Sequence, residues 1–348
     1  MRDARLSALT HADVRCLTRR TLMRSFAYSL GRSRPIVSRA GCARSPNTRW
    51  PLTACGVRRS QRQIVHAGRA GIQPPRAGRR RTYDRCDRSQ QMYREPGGVV
   101  FVNSRGFRIR YQVSGSGPVL VLLHGFPMWG DRWRDRGYVS VLQGRFHLVV
   151  PDLLGHGKSD KPHRPADYGV PNLASDVIAV LDAAGVERAH FWGYSLGTMV
   201  AENLAVTVPD RVLSLTLGGF PPGLDLDQRR AMFPPAKAPA SRDEIFHGWP
   251  EPLIGLYKAN TDLAAVQAIW ASLGEQPTTI ADLQSSPHPT LAYIGAHDPL
   301  LEVTRLQCAA LPCRLEVVPG DHMAGFAQAG NVLPLAVSHI EASAPPIT

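Results

Sequence analysis

The 348-residue chain contains no apolar run long enough to cross a membrane as a helix, which excludes a spanning segment of that kind. It has no C-x-x-C pair and no Cys/His cluster with zinc-ligand spacing. Four of its six cysteines (Cys16, Cys42, Cys55, Cys86) fall in residues 1–94, and Cys308 and Cys313 follow far downstream. Reduced thiols are therefore expected. A phosphate loop and a dinucleotide fingerprint are also missing, since Gly115-Ser-Gly117 is not followed by a helix pattern. No cofactor and no metal are expected. Lysine is absent from residues 1–94, which hold 22 Arg and 4 Asp, a charge of +18; residues 95–348 hold 19 Lys+Arg and 24 Asp+Glu, a charge of −5. The overall +13 thus belongs to one end, and a nucleic-acid partner for the rest loses its support.

Residues 1–94 are rich in Arg, Pro, Gly, Ser and Ala and keep no helix or strand period, so disorder is expected there. Arg without Lys, mixed with stray Trp and Cys, reads as translated GC-rich upstream DNA. The true start is then Met92 and the protein cytoplasmic. The alternatives are an organelle transit peptide, which would move the protein to that compartment, and a basic tail for an acidic surface. The apolar stretch of a secretory signal is absent.

From Val99 the pattern changes. Val99–Asn103 and Phe107–Val113 read as two strands around an Asn-Ser-Arg-Gly turn, the second alternating apolar and polar. Val119–Leu123 is a continuous apolar run, as in a strand buried on both faces. A short helix near Val139–Leu142 and a strand Phe146–Val150 follow. Then come an amphipathic helix over Leu173–Ala184, a strand His190–Tyr194, and a helix from Thr198 to about Val208. Strands are also expected at Val212–Leu217, Thr290–Ile294 and Arg314–Val318, with a closing helix over Phe326–Ile340. This alternation predicts an α/β fold over residues 95–348: a mostly parallel sheet of about eight strands flanked by helices. The stretch of about 221–289 breaks the pattern. It is too long for a loop and reads as a small helical cap over the strand ends.

Gly193-Tyr-Ser-Leu-Gly197 follows an apolar strand and opens a helix. A serine at the tip of so tight a turn is strained, and side chains two positions to either side would collide, which calls for glycine. A serine needs a base to take its proton and a third group to orient that base. His322, in Pro319-Gly-Asp-His322, and Asp298, in Gly295-Ala-His-Asp298, each follow a strand, so both fall on the same sheet edge as Ser195. His297 would point to the opposite side of an extended segment. Asp321, Asp225 and Asp227 are the rival acids. The backbone N–H groups of Leu196 and Phe126 are the expected oxyanion donors.

With His124-Gly-Phe-Pro127 and Asp152-Leu-Leu-Gly-His-Gly-Lys-Ser-Asp160, these motifs resemble the α/β-hydrolase superfamily over Val99–Ala342. The nearest branch is its cap-bearing esterases, enol-lactonases and cofactor-free haloperoxidases. The resemblance implies a Ser195–His322–Asp298 triad acting on a carboxylic ester, lactone or similar small acyl compound, with water as the second substrate. It gives the Asp152–Asp160 loop, His156 included, a structural role. Epoxide hydrolases and haloalkane dehalogenases share the His-Gly-Phe-Pro loop but carry aspartate where this chain has Ser195. Perhydrolase, C–C hydrolase or aminopeptidase chemistry, or ligand binding without turnover, are the alternatives on the same scaffold. Trp133, Tyr194, Trp249 and Trp270 are expected to line a modest, mostly apolar pocket. Thr198 stands where many relatives have glycine.

Overall fold

The structure is a computed structural model that describes residues 93–94, 100–247, 253–274 and 278–343. The Arg-rich segment up to Met92, with the disorder expected of it, lies outside the described residues. The strands are β1 (Tyr93–Arg94), β2 (Val100–Ser104), β3 (Phe107–Ser114), β4 (Val119–Leu123), β5 (His147–Pro151), β6 (Ala189–Tyr194), β7 (Val212–Gly218), β8 (Thr290–Gly295) and β9 (Cys313–Val318). They form one sheet in the order β1-β2-β3-β5-β4-β6-β7-β8-β9. The pairs β1/β2, β2/β3 and β3/β5 are antiparallel, and every pair from β5 to β9 is parallel. The ninth strand is the two-residue β1, which lies inside the segment expected to be disordered. It pairs Tyr93 with Phe101 and Arg94 with Val100.

Twelve helices are described: α1 (Asp131–Asp135), α2 (Tyr138–Leu142), α3 (Val170–Ala183), α4 (Leu196–Thr207), α5 (Leu226–Met232), α6 (Arg242–Ile245), α7 (Leu253–Asn260), α8 (Leu263–Leu273), α9 (Ile280–Gln284), α10 (Leu301–Cys308), α11 (His322–Ala327) and α12 (Ala329–Ala342). Among the described residues, no helix is long and apolar enough to cross a membrane.

The period of two along a strand divides the core. Val121 and Leu123 of β4 join a cluster with α3 and α4, whereas Leu120 and Leu122 join one with α1, α2, α11 and α12. This two-faced burial is why the strand reads as an unbroken apolar run. The single closing helix expected over Phe326–Ile340 is two helices. Asp321 caps α11 by accepting the Ala324 N–H at 2.8 Å, so helix begins already at His322, and Gln328 at φ −96°, ψ 68° breaks it. Among the described residues, five helices, α5 to α9, lie between β7 and β8. Asp225 and Thr279 open α5 and α9 with capping boxes, and Asp262 caps α8, so the helical start signals are in the chain itself.

Candidate active site

Ser195 sits between β6 and α4, half-buried, at φ 52° and ψ −109°. Its N–H donates to Gly218 O of β7 at 2.7 Å, which fixes the turn to the neighbouring strand. The flanking glycines are required by contact. A Cβ on Gly193 would stand 2.3 Å from Gly197 O, and one on Gly197 would stand 2.1 Å from Leu123 O. The Thr198 hydroxyl lies 3.1 Å from Gly193 O and 3.0 Å from Gly218 O, so it spans the ends of β6 and β7 beneath the elbow.

Asp298 follows β8 and His322 follows β9. His322 Nδ1–H donates to Asp298 Oδ2 at 2.7 Å, and Asp298 Oδ1 accepts the Leu300 N–H at 2.9 Å. The Asp298 side chain is wholly buried, whereas that of His322 is 33% exposed and free to meet a ligand. Burial pushes the imidazole down. The Asp298 charge and hydrogen bond, with Asp321 adding, outweigh it and leave His322 raised above its ordinary 6.5. The rival groups are occupied or exposed: Asp321 caps α11, Asp225 caps α5, and Asp227 and His297 are exposed. Ser195 Oγ makes no hydrogen bond among the described residues, so the serine and histidine are not joined in this state.

The β4–α1 loop carries Phe126. A Cβ on Gly125 would stand 3.2 Å from Ser195 Cβ, so this loop runs directly against the elbow. Among the described residues, neither the Phe126 N–H nor the Leu196 N–H has an acceptor. His124 holds the loop in shape. Its Nε2 accepts the Leu153 N–H at 3.0 Å, so its proton is on Nδ1, which donates to Gly125 O at 3.0 Å. Burial, offset by that backbone bond, lowers its pKa to about 4, so the ring is neutral. His156 packs edge-on against the Phe126 ring, with centroids 5.8 Å apart. Burial lowers it to about 3, in keeping with a structural role. Asp152 is fully buried and accepts from Gly130 N at 2.8 Å and Lys158 N at 2.9 Å, which braces the neighbouring loop.

A cavity of about 710 Å³ opens beside His322 and Phe126. Pro127, Ile245 and Trp270 give it apolar wall, and Lys237, Asp243, Glu244 and His247 stand on its exposed side. Trp270 Nε1–H donates to Pro234 O at 3.0 Å, so its polar atom is occupied. Of the four pocket residues expected, Trp270 lines this cavity and Trp249 lies outside the described residues. Trp133 and Tyr194 do not line it. Trp133 is wholly buried among Tyr138, Trp192 and Phe326, and Tyr194 is buried beneath the sheet edge. Both belong to the aromatic core on the α1/α2 face. Ile245, Lys237 and His247 escaped the sequence reading because nothing in α6 or the turn before it signals which side faces His322. Among the described residues, no three His, Cys, Asp or Glu side chains converge as metal ligands.

A family model described as the alpha/beta hydrolase fold matches residues 118–259. An uncharacterized protein of Mycobacterium bovis is 35% identical over 142 residues, 40% of each chain. Epoxide hydrolase A of Mycobacterium tuberculosis is 32% identical over 143 residues, 40% of this chain and 42% of that protein. The chain thus spans about 40% of the length of the curated relatives it matches. The crystal structure of the enol-lactonase from Burkholderia xenovorans superposes with a TM-score of 0.60 at 19% identity, covering 69% of this chain and 99% of that one. Sheet order, the strained elbow after β6 and these similarities agree that the chain has the α/β-hydrolase fold.

Proposed function

We propose that the protein is a serine hydrolase of carboxylic esters, lactones or similar small acyl compounds. One observation carries the reading: the 2.7 Å bond from His322 Nδ1–H to buried Asp298 Oδ2, on the sheet edge where Ser195 stands at φ 52°. That bond leaves Nε2 as the lone-pair nitrogen, the atom a general base needs. The serine–histidine contact closes when substrate orders the site. Ser195 Oγ attacks the acyl carbon as His322 Nε2 takes its proton, and the oxyanion rests on the N–H groups of Phe126 and Leu196. His322 returns the proton to the leaving alcohol, and water, activated by the same imidazole, clears the acyl-enzyme. The cavity of about 710 Å³ lies within the range of small-molecule sites and suits a substrate with an apolar portion.

The similarity to an epoxide hydrolase favours a second reading, epoxide opening. That chemistry uses a carboxylate nucleophile to form an alkyl ester that water then hydrolyses. An alkyl ether formed on Ser195 offers no carbonyl for water to attack, so the serine favours acyl transfer. The test is a chain-length series of p-nitrophenyl esters, beside an epoxide, with wild type and Ser195→Ala. Ester turnover that falls at least about 10⁴-fold in the variant supports the proposal. Epoxide turnover that survives the substitution overturns it, as does folded wild type that cleaves no acyl substrate.

A further inference from the structure

We propose that Tyr194 is a positioning residue that fixes the placement of His322 relative to Ser195; the inference rests on the serine-hydrolase reading. Tyr194 is the last residue of β6 and the immediate neighbour of Ser195. Its side chain turns away from the cavity, and its Oη–H donates to the backbone carbonyl of His322. The phenol therefore joins the residue beside the nucleophile to the backbone of the base. Its ring also meets the His322 ring, with centroids 5.5 Å apart, and the Phe326 ring at 5.1 Å.

His322 needs such an anchor. It opens α11, a helix of six residues, which is too short to hold its own geometry. Asp321 caps its first turn, and two buried tyrosines take carbonyls at its opposite ends: Tyr194 takes His322 O, and Tyr138 takes Phe326 O at 2.9 Å. The surroundings make room for the Tyr194 phenol. A Cβ on Gly219 would stand 2.5 Å from a carbon of its ring, and one on Gly325 would stand 3.0 Å from its Oη. Packing alone would be served as well by phenylalanine. The hydroxyl adds only the bond to the base's own backbone.

Tyr194→Phe and Tyr138→Phe each remove one buried hydroxyl-to-carbonyl bond on the same helix, so a purely structural role moves both alike. The readouts are kcat and KM on a p-nitrophenyl ester, the rate of fluorophosphonate labelling, and the melting midpoint. Tyr194→Phe is expected to lower kcat and the labelling rate about 10- to 100-fold with KM nearly unchanged. Tyr138→Phe is expected to shift the melting midpoint similarly while kcat stays within about twofold. Unchanged kcat in Tyr194→Phe, equal loss in both variants, or a loss confined to KM overturns the proposal. Should Tyr194→Phe not fold, Gly325→Ala crowds the same hydroxyl and is read in the same way. Wild type that is not labelled at Ser195 overturns the hydrolase reading itself, a separate outcome.

Discussion

At Gly197 the chain has no room for a methyl group, because a Cβ there would lie 2.1 Å from the backbone oxygen of Leu123. Backbone cannot step aside as a side-chain tip can. Gly197→Ala is therefore expected to cost about 3 kcal/mol of stability or to shift the elbow, read as a lower urea midpoint together with lost ester turnover. Wild-type stability and activity in this variant would contradict the geometry. At Asp298 the expectation concerns pH. Catalysis needs neutral His322, and Asp298 holds that imidazole above 6.5, so kcat/KM should fall as pH drops through a value above 6.5. In Asp298→Asn the charge is gone and burial acts with less opposition. The acid limb should move to lower pH while kcat drops about 10³- to 10⁴-fold. An acid limb left in place would show that Asp298 is not what raises His322. These residues were legible in the sequence because each falls in a short glycine-containing segment just after a strand. The role of Tyr194 was not, because no local pattern shows where a buried hydroxyl finds its partner.

Between elements, a buried acid and base join α4 to α5, the first helix of the β7–β8 insertion. Glu202 of α4 and Arg229 of α5 are both wholly buried, with Arg229 Nη2 3.5 Å from Glu202 Oε2. Burial pushes the Glu202 carboxyl up to about 8, against the opposing pull of Arg229. Removing one partner strands the other without water. Glu202→Leu, which leaves the Arg229 guanidinium buried without a counter-charge, is expected to cost about 3–5 kcal/mol, Arg229→Met less, and the double variant Glu202→Leu/Arg229→Met to recover most of the loss. Chemical denaturation of the three variants checks this, and equal losses in the single and double variants would contradict it. No sequence pattern announced the pair. Strands and most helices were readable because hydrophobic period is local. The split between α11 and α12 was not, because it depends on Asp321 finding the Ala324 N–H and on one non-helical residue, Gln328.

Across the whole molecule, the order Ser195, Asp298, His322 and the alternation of strands and helices made the fold class readable. The wall of the cavity was not readable, since it depends on how α6 returns toward the β4–α1 loop. The buried histidines give the fold a dependence on pH. His190, in the middle of the sheet with Nδ1 2.7 Å from Ser214 Oγ, is lowered to about 4 by burial and by His339. The unfolded chain takes up that proton near 6.5. The contribution of neutral His190 is therefore complete above 6.5 and is lost as pH falls toward 4. His190→Asn should lose less stability than wild type between pH 7 and pH 5, measured as urea midpoints, and an equal loss would contradict the burial argument. The central claim is that Ser195 is a nucleophile activated by His322. Its most direct measurement is the mass of the full chain after fluorophosphonate treatment, with the adduct located by peptide mapping, in wild type, Ser195→Ala and His322→Ala. One adduct on Ser195 in wild type, none in Ser195→Ala and at least about 10³-fold slower labelling in His322→Ala is the predicted result. Folded wild type without an adduct, or labelling indifferent to His322, would contradict it.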